Sequence, residues 1–476
     1  MTDKDGQLVR GLTSFDATLL VIGTVIGTGV FMKSAVMAQV VGSSWLVLAA
    51  WVVAGLLSMA GALTYAELGA LLPEAGGEYV FLRRAYGIVP AFFFGWTRFS
   101  VVSTGSIAVM SVGFATFLSA ALSLNRVWAH YTFRLLGQDV HWQFGSSQVV
   151  AVASIAVLSA LNCAGIAFGG RVQSVITIMK TLGVATIVAG VFGWSRSASW
   201  GNFAASSGTA PVSTLSSFGT AMLAALWAYE GWNTMPMVAG EIRDPGRSVP
   251  RALVLGMLSV ITIYLVANLA YFYSLPFSEV ATSNSTSYRD ALPVATKAVR
   301  TFLGPFGEKL VSVAFILSAL GAVNGLILSS ARVPFAMARD GMFFSRMSML
   351  NNSHVPVWSI LIQAIWASVL AISGSYDQVS DCVIFASWIF YGMTATAVLV
   401  LRVKMPLAVR PYRTPGYPLV PIAFVALAAW LVVNTLITRP IESAAGLVLI
   451  ALGLPVFIYY RCRRQKNEIR EQTPRQ

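Results

Sequence analysis

Apolar runs recur from one end of this chain to the other, for example VIFASWIFYGMTATAVLVL at 383–401 and LVLIALGLPVFIYY at 447–460. A helix of about 20 apolar residues crosses the hydrocarbon core of a bilayer. Only 11% of the 476 residues are charged, whereas a typical soluble domain has about 25%. These features predict an all-α, polytopic membrane protein.

About twelve spans are predicted, and the polar stretches between them are too short for a soluble domain. The first residues lack the basic start and cleavage site of a secretory signal, so the first span is expected to stay in the mature protein. The predicted spans lie near 15–40, 44–72, 88–122, 147–167, 172–194, 215–240, 250–275, 295–331, 356–374, 381–403, 418–437 and 444–460.

The distribution of lysine and arginine predicts the orientation. With both termini in the cytoplasm, about 21 of these residues lie inside and 9 outside, as the positive-inside rule requires. The predicted organisation follows the chain: a cytoplasmic segment, a first repeat of five helices, a second repeat of five, two further helices and a cytoplasmic tail. Their bounds are 1–14, 15–194, 195–404, 405–460 and 461–476.

Two predicted spans are interrupted near their middles. The first breaks at IGTG (26–29), and the sixth breaks at AYEGWN (228–233), with Pro236 following. Because four spans lie between them, the two broken helices run in opposite directions, which is typical of an inverted repeat with a binding site at the midplane. The alternative for the first span is that Gly23 and Gly27 form a close-packing motif between helices.

Lipid cannot satisfy the backbone groups that a broken helix exposes, so each break must face protein, water or a ligand. The half-helix that begins at Thr28 presents N–H groups and a positive dipole end, which suits a carboxylate. The half-helices that end near Val25 and near 227–230 present carbonyls, which suit an ammonium. Glycines at 27 and 29 allow close approach to the backbone. The two breaks therefore predict a site for an amino acid zwitterion.

Four segments resemble the amino acid–polyamine–organocation superfamily, most of all its L-type amino acid transporter branch. These segments are GTVIGTGVF at 23–31, WVVAGLLSMAGALTYAELGALLPEAGGEYVFLRRAYG at 51–87, LWAYEGWNTMPMVAGEIRDPGRSVPRAL at 226–253 and VNGLILSSAR at 323–332. The likeness covers nearly the whole chain in order. It implies a LeuT-type five-plus-five inverted repeat with two extra helices, working by alternating access.

The resemblance also implies roles for individual residues. The N–H groups of Thr28 and Gly29 would hold the substrate carboxylate, and Trp227 would close over the substrate as a gate. Carbonyls of the two breaks would hold the amino group. The implied substrate-binding residues are Val25, Ile26, Thr28, Gly29, Trp227 and Glu230.

Lys180 lies about nine residues into the fifth span, about 13 Å deep at 1.5 Å per residue. A charge at this depth is expensive enough to suggest a function. In the family the matching lysine occupies the position of a sodium ion in sodium-driven relatives, so transport would be sodium-independent. Gly23 and a hydroxyl of Ser329 or Ser330 are the expected partners. A purely structural lysine is the alternative.

Glu230 is the second charge predicted inside the membrane, and three interpretations stay open. It could hydrogen-bond the unwound backbone, select cationic substrates such as arginine or ornithine, or couple transport to protons. Tyr264 and Asn324 match family positions near the cavity, with simple interhelical hydrogen bonding as the alternative. Arg98 and Glu67 are interpreted as interhelical groups. The Arg243–Asp244–Pro245 loop and the Arg339–Asp340 pair are assigned to the cytoplasmic side, where a part in an inner gate is a guess.

Other functional classes lack support in the sequence. The chain contains no His-Glu-x-x-His, paired aspartates or Gly-x-Ser-x-Gly, so a membrane enzyme is not expected, and neither a cofactor nor a metal site is predicted. The charge of +13 is explained by membrane topology rather than by nucleic acid. The three scattered cysteines do not suggest a disulfide framework.

A channel or sensor is also disfavoured, since no repeated filter ring and no signalling domain is visible. Animal members of the branch are bonded to a single-span glycoprotein through a cysteine between the third and fourth spans. Here that loop (123–146) has none, so no such subunit is expected.

The predicted function is secondary active transport of amino acids in the cell membrane. The expected substrates are neutral L-amino acids, moved by exchange or by proton coupling. A transporter for cationic amino acids or polyamines is the alternative.

Overall fold

The computed structural model describes residues 8–122, 126–135, 138–203, 215–283, 288, 291–373, 376–438 and 440–472. Residues 1–7 and 473–476 of the predicted terminal segments lie outside the described residues. The described part is almost entirely helical, which confirms the predicted all-α, polytopic class. Its helices are α1 Ser14–Val25, α2 Gly29–Val41, α3 Ser44–Leu71, α4 Glu78–Tyr86, α5 Ile88–Thr97, α6 Ser103–Ala121, α7 Ser146–Cys163, α8 Ile166–Trp194, α9 Leu215–Ala228, α10 Pro245–Ser274, α11 Phe277–Ala281, α12 Val294–Leu303, α13 Pro305–Ser330, α14 Arg332–Arg339, α15 Val357–Ser373, α16 Tyr376–Lys404, α17 Leu419–Thr438, α18 Pro440–Ala451 and α19 Gly453–Gln472.

Within the described residues, nine helices or continuous helical stretches are long and apolar enough to cross a membrane. The bent pair α1 and α2, which meet at 41°, makes ten. The two other predicted spans correspond to α15, which is shorter, and to α9 with the 3₁₀ helix Trp232–Glu241 that follows it. The count of twelve, the cytoplasmic termini and the division into repeats stay predictions.

The first break follows from the ends of its two helices. A capping box starts α1: the Thr13 hydroxyl accepts the N–H of Asp16, and the Asp16 carboxylate accepts the N–H of Thr13 at 3.0 Å. α1 ends at Val25, and α2 begins at Gly29 with its cap at Thr28. The interruption therefore lies at the predicted IGTG.

The sixth predicted span changes character at its break. α9 ends at Ala228, and after a turn the chain continues as a 3₁₀ helix to Glu241 instead of an α-helix. Pro236 lies inside this segment, where it cannot donate an α-helical hydrogen bond. The second half of this span is therefore wound more tightly than an α-helix.

The third span contains a local irregularity. A π-helical turn, Arg98–Val102, separates α5 from α6, and the Thr104 hydroxyl donates to the carbonyl of Phe99 at 2.8 Å. Such single turns often mark functional positions. Here the turn places Arg98 in the interior.

Two antiparallel strands, β1 Val127–Leu135 and β2 Gln138–Gly145, connect α6 to α7. The sequence predicts only a polar connection over 123–146, which contains His130 and His141. Both histidines lie in this hairpin.

Candidate functional site

The N-terminus of α2 carries unpaired donors at the first break. Among the described residues, nothing accepts the backbone N–H of Thr28 or Gly29. The positive end of the α2 dipole is at the same point. Both residues line a cavity between the two breaks, so this end of the cavity suits a carboxylate.

The two breaks are in direct contact because Gly231 permits it. This residue has φ +123°, and a Cβ built on it would lie 2.9 Å from the carbonyl oxygen of Thr24. Any other residue would be strained here and would push the breaks apart. The Thr24 hydroxyl lies 3.2 Å from the carbonyl oxygen of Gly231, which joins the end of α1 to the turn after α9.

The hydroxyl of Tyr264, on α10, contacts backbone carbonyls of both breaks. Its hydroxyl lies 2.8 Å from the carbonyl oxygen of Val25 and 2.8 Å from that of Ala228. A phenol has one proton, so it donates to one of these carbonyls at a time. Tyr264 is fully buried, and the structure shows the interhelical hydrogen bonding that was one of its two interpretations.

The cavity itself has a volume of about 730 Å³, including the solvent space at its mouth. Five of the six predicted substrate-binding residues are among those that line it. Ile26 is not: its carbonyl points to Lys180 and Ser318 instead. The lining residues are Thr24, Val25, Gly27, Thr28, Gly29, Ser106, Val109, Met110, Trp227, Ala228, Glu230, Gly231, Ala322, Leu326 and Ser387.

Trp227, the predicted gate, forms part of the cavity wall and is half-buried. The ammonium of Lys33, on α2, lies 4.2 Å from the centre of its ring. Cation–π contacts of this kind stabilise a ring orientation by about 0.5–2 kcal/mol. Lys33 is one of the nine basic residues predicted on the outer side. Its contact with Trp227 is not predictable, because the facing of α2 and α9 is not visible in the sequence.

Lys180 is fully buried and reaches the end of α1. Its ammonium donates to the carbonyls of Gly23 and, at 2.7 Å, Ile26. The Ser318 hydroxyl of α13 lies 2.8 Å from the same Ile26 oxygen and 3.0 Å from that of Gly27. Lysine and serine together therefore satisfy carbonyls that the break leaves without helical partners.

The expected contact of Lys180 with Ser329 or Ser330 is wrong. The Ser329 hydroxyl donates to the carbonyl of Gly325 at 2.7 Å, and the Ser330 hydroxyl contacts the Leu326 carbonyl and, at 3.1 Å, the Gln363 side chain. Gly23 is the one expected partner that the structure brings to Lys180. Whether this site replaces a sodium ion stays a prediction.

Asn324 takes part in a buried amide network and is absent from the cavity wall. Its side chain donates to Gln173 at 2.8 Å and accepts from Asn162 at 2.8 Å. α13 is thereby joined to α8 and α7. In this conformation the alternative of interhelical hydrogen bonding describes Asn324, and a part in the substrate cavity stays a prediction.

Glu230 already has protein partners. Its carboxylate accepts a hydrogen bond from the hydroxyl of Tyr391 on α16. Arg98 lies within electrostatic reach of Glu230, Tyr391 and Glu78. Tyr391 and Ser387, one turn apart on α16, were missed in the sequence because a tyrosine in an apolar span is ordinarily core.

Glu78, in the segment between two spans, continues this cluster. It is fully buried and accepts hydrogen bonds from the hydroxyl of Tyr65 at 2.6 Å and from the amide of Asn233 at 3.4 Å. Burial raises the pKa of Glu78 to about 7, against the opposing effect of Arg98. Burial therefore favours the protonated form of this carboxyl more than water does.

Beyond the cavity, the face that carries residues 8–13 is closed by buried polar contacts. Leu12 pairs with Ile242 as a short parallel bridge, and Glu241 forms a two-point ion pair with Arg332 at 2.8 and 2.9 Å. Both charged side chains are essentially inaccessible to solvent.

Two further ion pairs lie nearby. Glu67 accepts from Arg402 at 2.9 and 2.7 Å and from the N–H of Thr414, as expected for an interhelical group. Asp340 pairs with Arg83 and accepts from the hydroxyl of Tyr79 at 2.8 Å. Arg243 binds residues 10 and 12 of the N-terminal segment through backbone carbonyls.

Comparison with known proteins decides the family. The family model described as amino acid permease matches residues 12–458. The chain belongs to the amino acid permease family. The resemblance drawn from the four motifs is thereby confirmed.

This permease is similar to named transporters over almost its full length. It is 32% identical over 471 residues to the serine/threonine exchanger SteT of Bacillus subtilis (strain 168), covering 98% of this chain and 100% of that protein. It is 28% identical to the b(0,+)-type amino acid transporter 1 of Mus musculus, over 96% and 90% of the two chains. It is 26% identical to the human cystine/glutamate transporter, over 95% and 86%.

These findings place the permease among multi-pass membrane transporters and not among enzymes. Among the described residues, no group of three histidine, cysteine, aspartate or glutamate side chains is arranged to hold a metal ion. The polar groups of the cavity instead come largely from the backbone of two broken helices.

Proposed function

We propose that this permease exchanges neutral L-amino acids across the cell membrane by alternating access, without sodium. The observation that carries the proposal is the cavity between the two breaks, with the unpaired N–H groups of Thr28 and Gly29 at one side. Carbonyls at the ends of α1 and α9 lie on the other side. The carboxylate of the substrate binds the N–H groups. The ammonium of the substrate binds the carbonyls near Val25, Trp227 and Glu230.

The carbonyls of the ammonium subsite already have hydrogen-bond partners, so one of these hydrogen bonds must change when the substrate binds. The Val25 carbonyl is within reach of Tyr264, and the Trp227 carbonyl accepts the N–H of Glu230 at 3.2 Å. Because Tyr264 can donate to the carbonyl of Ala228 instead, an incoming ammonium can take the Val25 carbonyl without leaving the phenol unpaired. Substrate binding then changes the hydrogen bond that joins the two broken helices.

The cavity wall favours neutral side chains. Val109, Met110, Ala322 and Leu326 are apolar, and Ser106 and Ser387 add small hydroxyls. Glu230 is the acidic group in this wall, and its partners Tyr391 and Arg98 belong to the protein. The charge of Glu230 therefore does not require a cationic substrate to compensate it.

In the proposed orientation, residues 8–13 and the buried Glu241–Arg332 pair lie on the cytoplasmic side of the protein. This assignment rests on the excess of lysine and arginine on that side. The described conformation is then closed towards the cytoplasm, with Trp227 and Lys33 on the outer side of the substrate. Lys180 takes the place of a sodium ion, and the protein acts without a glycoprotein subunit.

The proposal predicts trans-stimulated uptake in proteoliposomes. Labelled L-serine should enter at least about fivefold faster when the vesicles are preloaded with unlabelled neutral amino acid, because the return of the empty carrier is avoided. Replacing sodium with choline should change nothing. A competition screen with the twenty amino acids and polyamines assigns the substrate class. Equal uptake into loaded and empty vesicles would exclude exchange, and uptake driven only by an inward proton gradient would indicate symport.

Glu230→Gln tests the neutral substrate class. The glutamine keeps an acceptor for Tyr391 but removes the charge, so the ratio of arginine to serine uptake should stay within about twofold of wild type. Ser387→Ala, on the same wall, serves as the matched control. A fall of tenfold or more in that ratio, seen only in Glu230→Gln, would instead make this glutamate the group that selects cationic substrates.

A further inference from the structure

The hairpin between α6 and α7 carries a row of aromatic side chains on one of its faces. In an antiparallel pair, residues opposite each other share a face, and so do residues two apart. Tyr131 is opposite Trp142, and Ala129 is opposite Phe144, so these four residues share one face. His130 is opposite Gln143 and lies on the other face.

The rings on this face are in contact with one another. Tyr131 and Trp142 are 5.8 Å apart, and Trp142 and Phe144 are 6.3 Å apart, both stacked. The register shifts between residues 127 and 129, and the irregularity turns Trp128 towards Phe144, with ring centres 5.6 Å apart. Tyr131, Trp142, Phe144 and Trp128 therefore form one continuous aromatic row.

Two of the four rings in this row are exposed: Tyr131 is 66% and Trp128 58% accessible. Trp142 and Phe144 are half-buried. Stacked aromatic rings on a hairpin that is polar on its other face would be costly to leave in water. The pattern indicates a surface that something else covers.

The position of the hairpin indicates what covers it. β1 and β2 join the end of α6 to the start of α7, so the strands lie at the boundary of the bilayer. The indole N–H of Trp142 donates to the carbonyl of Ile372, at the end of α15, at 2.9 Å. On α15 the apolar residues Ile365, Val369 and Ile372 are 64%, 48% and 37% exposed, as lipid-facing residues are. The aromatic row continues this lipid-facing surface.

We propose that the hairpin lies on the bilayer as an interfacial anchor, with the aromatic row inserted among the lipid headgroups and the His130–Gln143 face towards water. Tryptophan and tyrosine are enriched at this depth because they join an apolar ring to a polar group. The anchor holds the junction of α6 and α7 at a fixed height against α15. Because α6 contributes Ser106, Val109 and Met110 to the cavity, one wall of the cavity is thereby fixed relative to the membrane.

A pair of adjacent labelling sites tests the anchor. Cys163, Cys382 and Cys462 are replaced with serine, and Tyr131→Cys or His130→Cys is labelled with an environment-sensitive fluorophore in proteoliposomes. The probe at 131 should be quenched at least twofold more by phospholipid carrying a nitroxide near the headgroup than the probe at 130. Aqueous iodide, present on both sides of the membrane, should give the opposite order.

The probe at 130 is the control for the probe at 131. The two sites are adjacent on one strand, so global misfolding would affect both and is checked by size-exclusion elution and retained uptake. Equal lipid quenching at 130 and 131 would overturn the anchor. A probe at 131 that is shielded from both nitroxide lipid and iodide would also overturn it, because a protein partner would then cover the row.

Discussion

Lys180→Ala should lower amino acid uptake by roughly tenfold to 150-fold while the protein still folds. The ammonium donates to the carbonyls of Gly23 and Ile26, where α1 ends. Hydrogen bonds to a charged group contribute about 1.5–3 kcal/mol, and each 1.4 kcal/mol is about a factor of ten. Without the ammonium, the end of α1 loses two hydrogen bonds that join it to α8, so the backbone of the first break is held less firmly.

The measurement is initial uptake of labelled substrate at equal amounts of reconstituted protein. Lys309→Ala, which removes an exposed lysine from the neighbouring α13, is the matched control and should transport normally. Thermal stability in detergent should fall by no more than a few degrees in Lys180→Ala, since Ser318 still contacts the Ile26 and Gly27 carbonyls. Uptake in Lys180→Ala equal to that of Lys309→Ala would leave Lys180 without a role in transport.

The backbone of the site was predictable because glycine and polar residues are expensive inside an apolar span. GTVIGTGVF and AYEGWN mark positions where α1 and α9 end, and helix polarity then gives the charge preference of each end. No side-chain packing is needed for this inference. The position of Lys180 in its span likewise gives its depth, whereas its contact with Gly23 was implied by the family resemblance.

The partners on other helices were harder to predict, because sequence periodicity gives the face of a helix but not its height against a neighbour. Ser318 and Ser329 are eleven residues apart on α13, which is about three turns, so both point in nearly the same direction. They are also about 16 Å apart along the axis at 1.5 Å per residue. Of the two predicted serines, Ser329 lies on the correct face of α13 but about three turns away, and Ser330 lies on another face.

Some contacts had no marker in the sequence. Tyr391 reaches Glu230 from α16, a helix that is distant in the chain and rich in apolar residues. The π-helical turn at Arg98 brings that side chain towards the same cluster, and such turns have no reliable sequence pattern. The hairpin was hidden for another reason: alternation over nine residues is a weaker signal than twenty apolar residues, and a polar connection was expected there.

Arg332→Met should destabilise the protein by about 3–5 kcal/mol, the cost of leaving one partner of a buried ion pair alone. Glu241 is 0% exposed and would lose both of its bonds to the guanidinium, at 2.8 and 2.9 Å. No water reaches the carboxylate in the closed arrangement, so the protein must either open on this face or unfold. The expected readout is a marked fall in the melting temperature in detergent, together with greater alkylation of a cysteine placed near the buried pair.

The exposed pair Arg300–Glu308, whose side chains are 47% and 40% accessible, provides the comparison. Arg300→Met should cost no more than about 1 kcal/mol, because water replaces the lost partner. The double variant Glu241→Leu with Arg332→Met should recover much of the stability, since two apolar side chains leave no buried charge. It should not recover transport if the pair must form and break during each cycle. Equal melting temperatures for Arg332→Met and Arg300→Met would show that the buried pair does not hold this face closed.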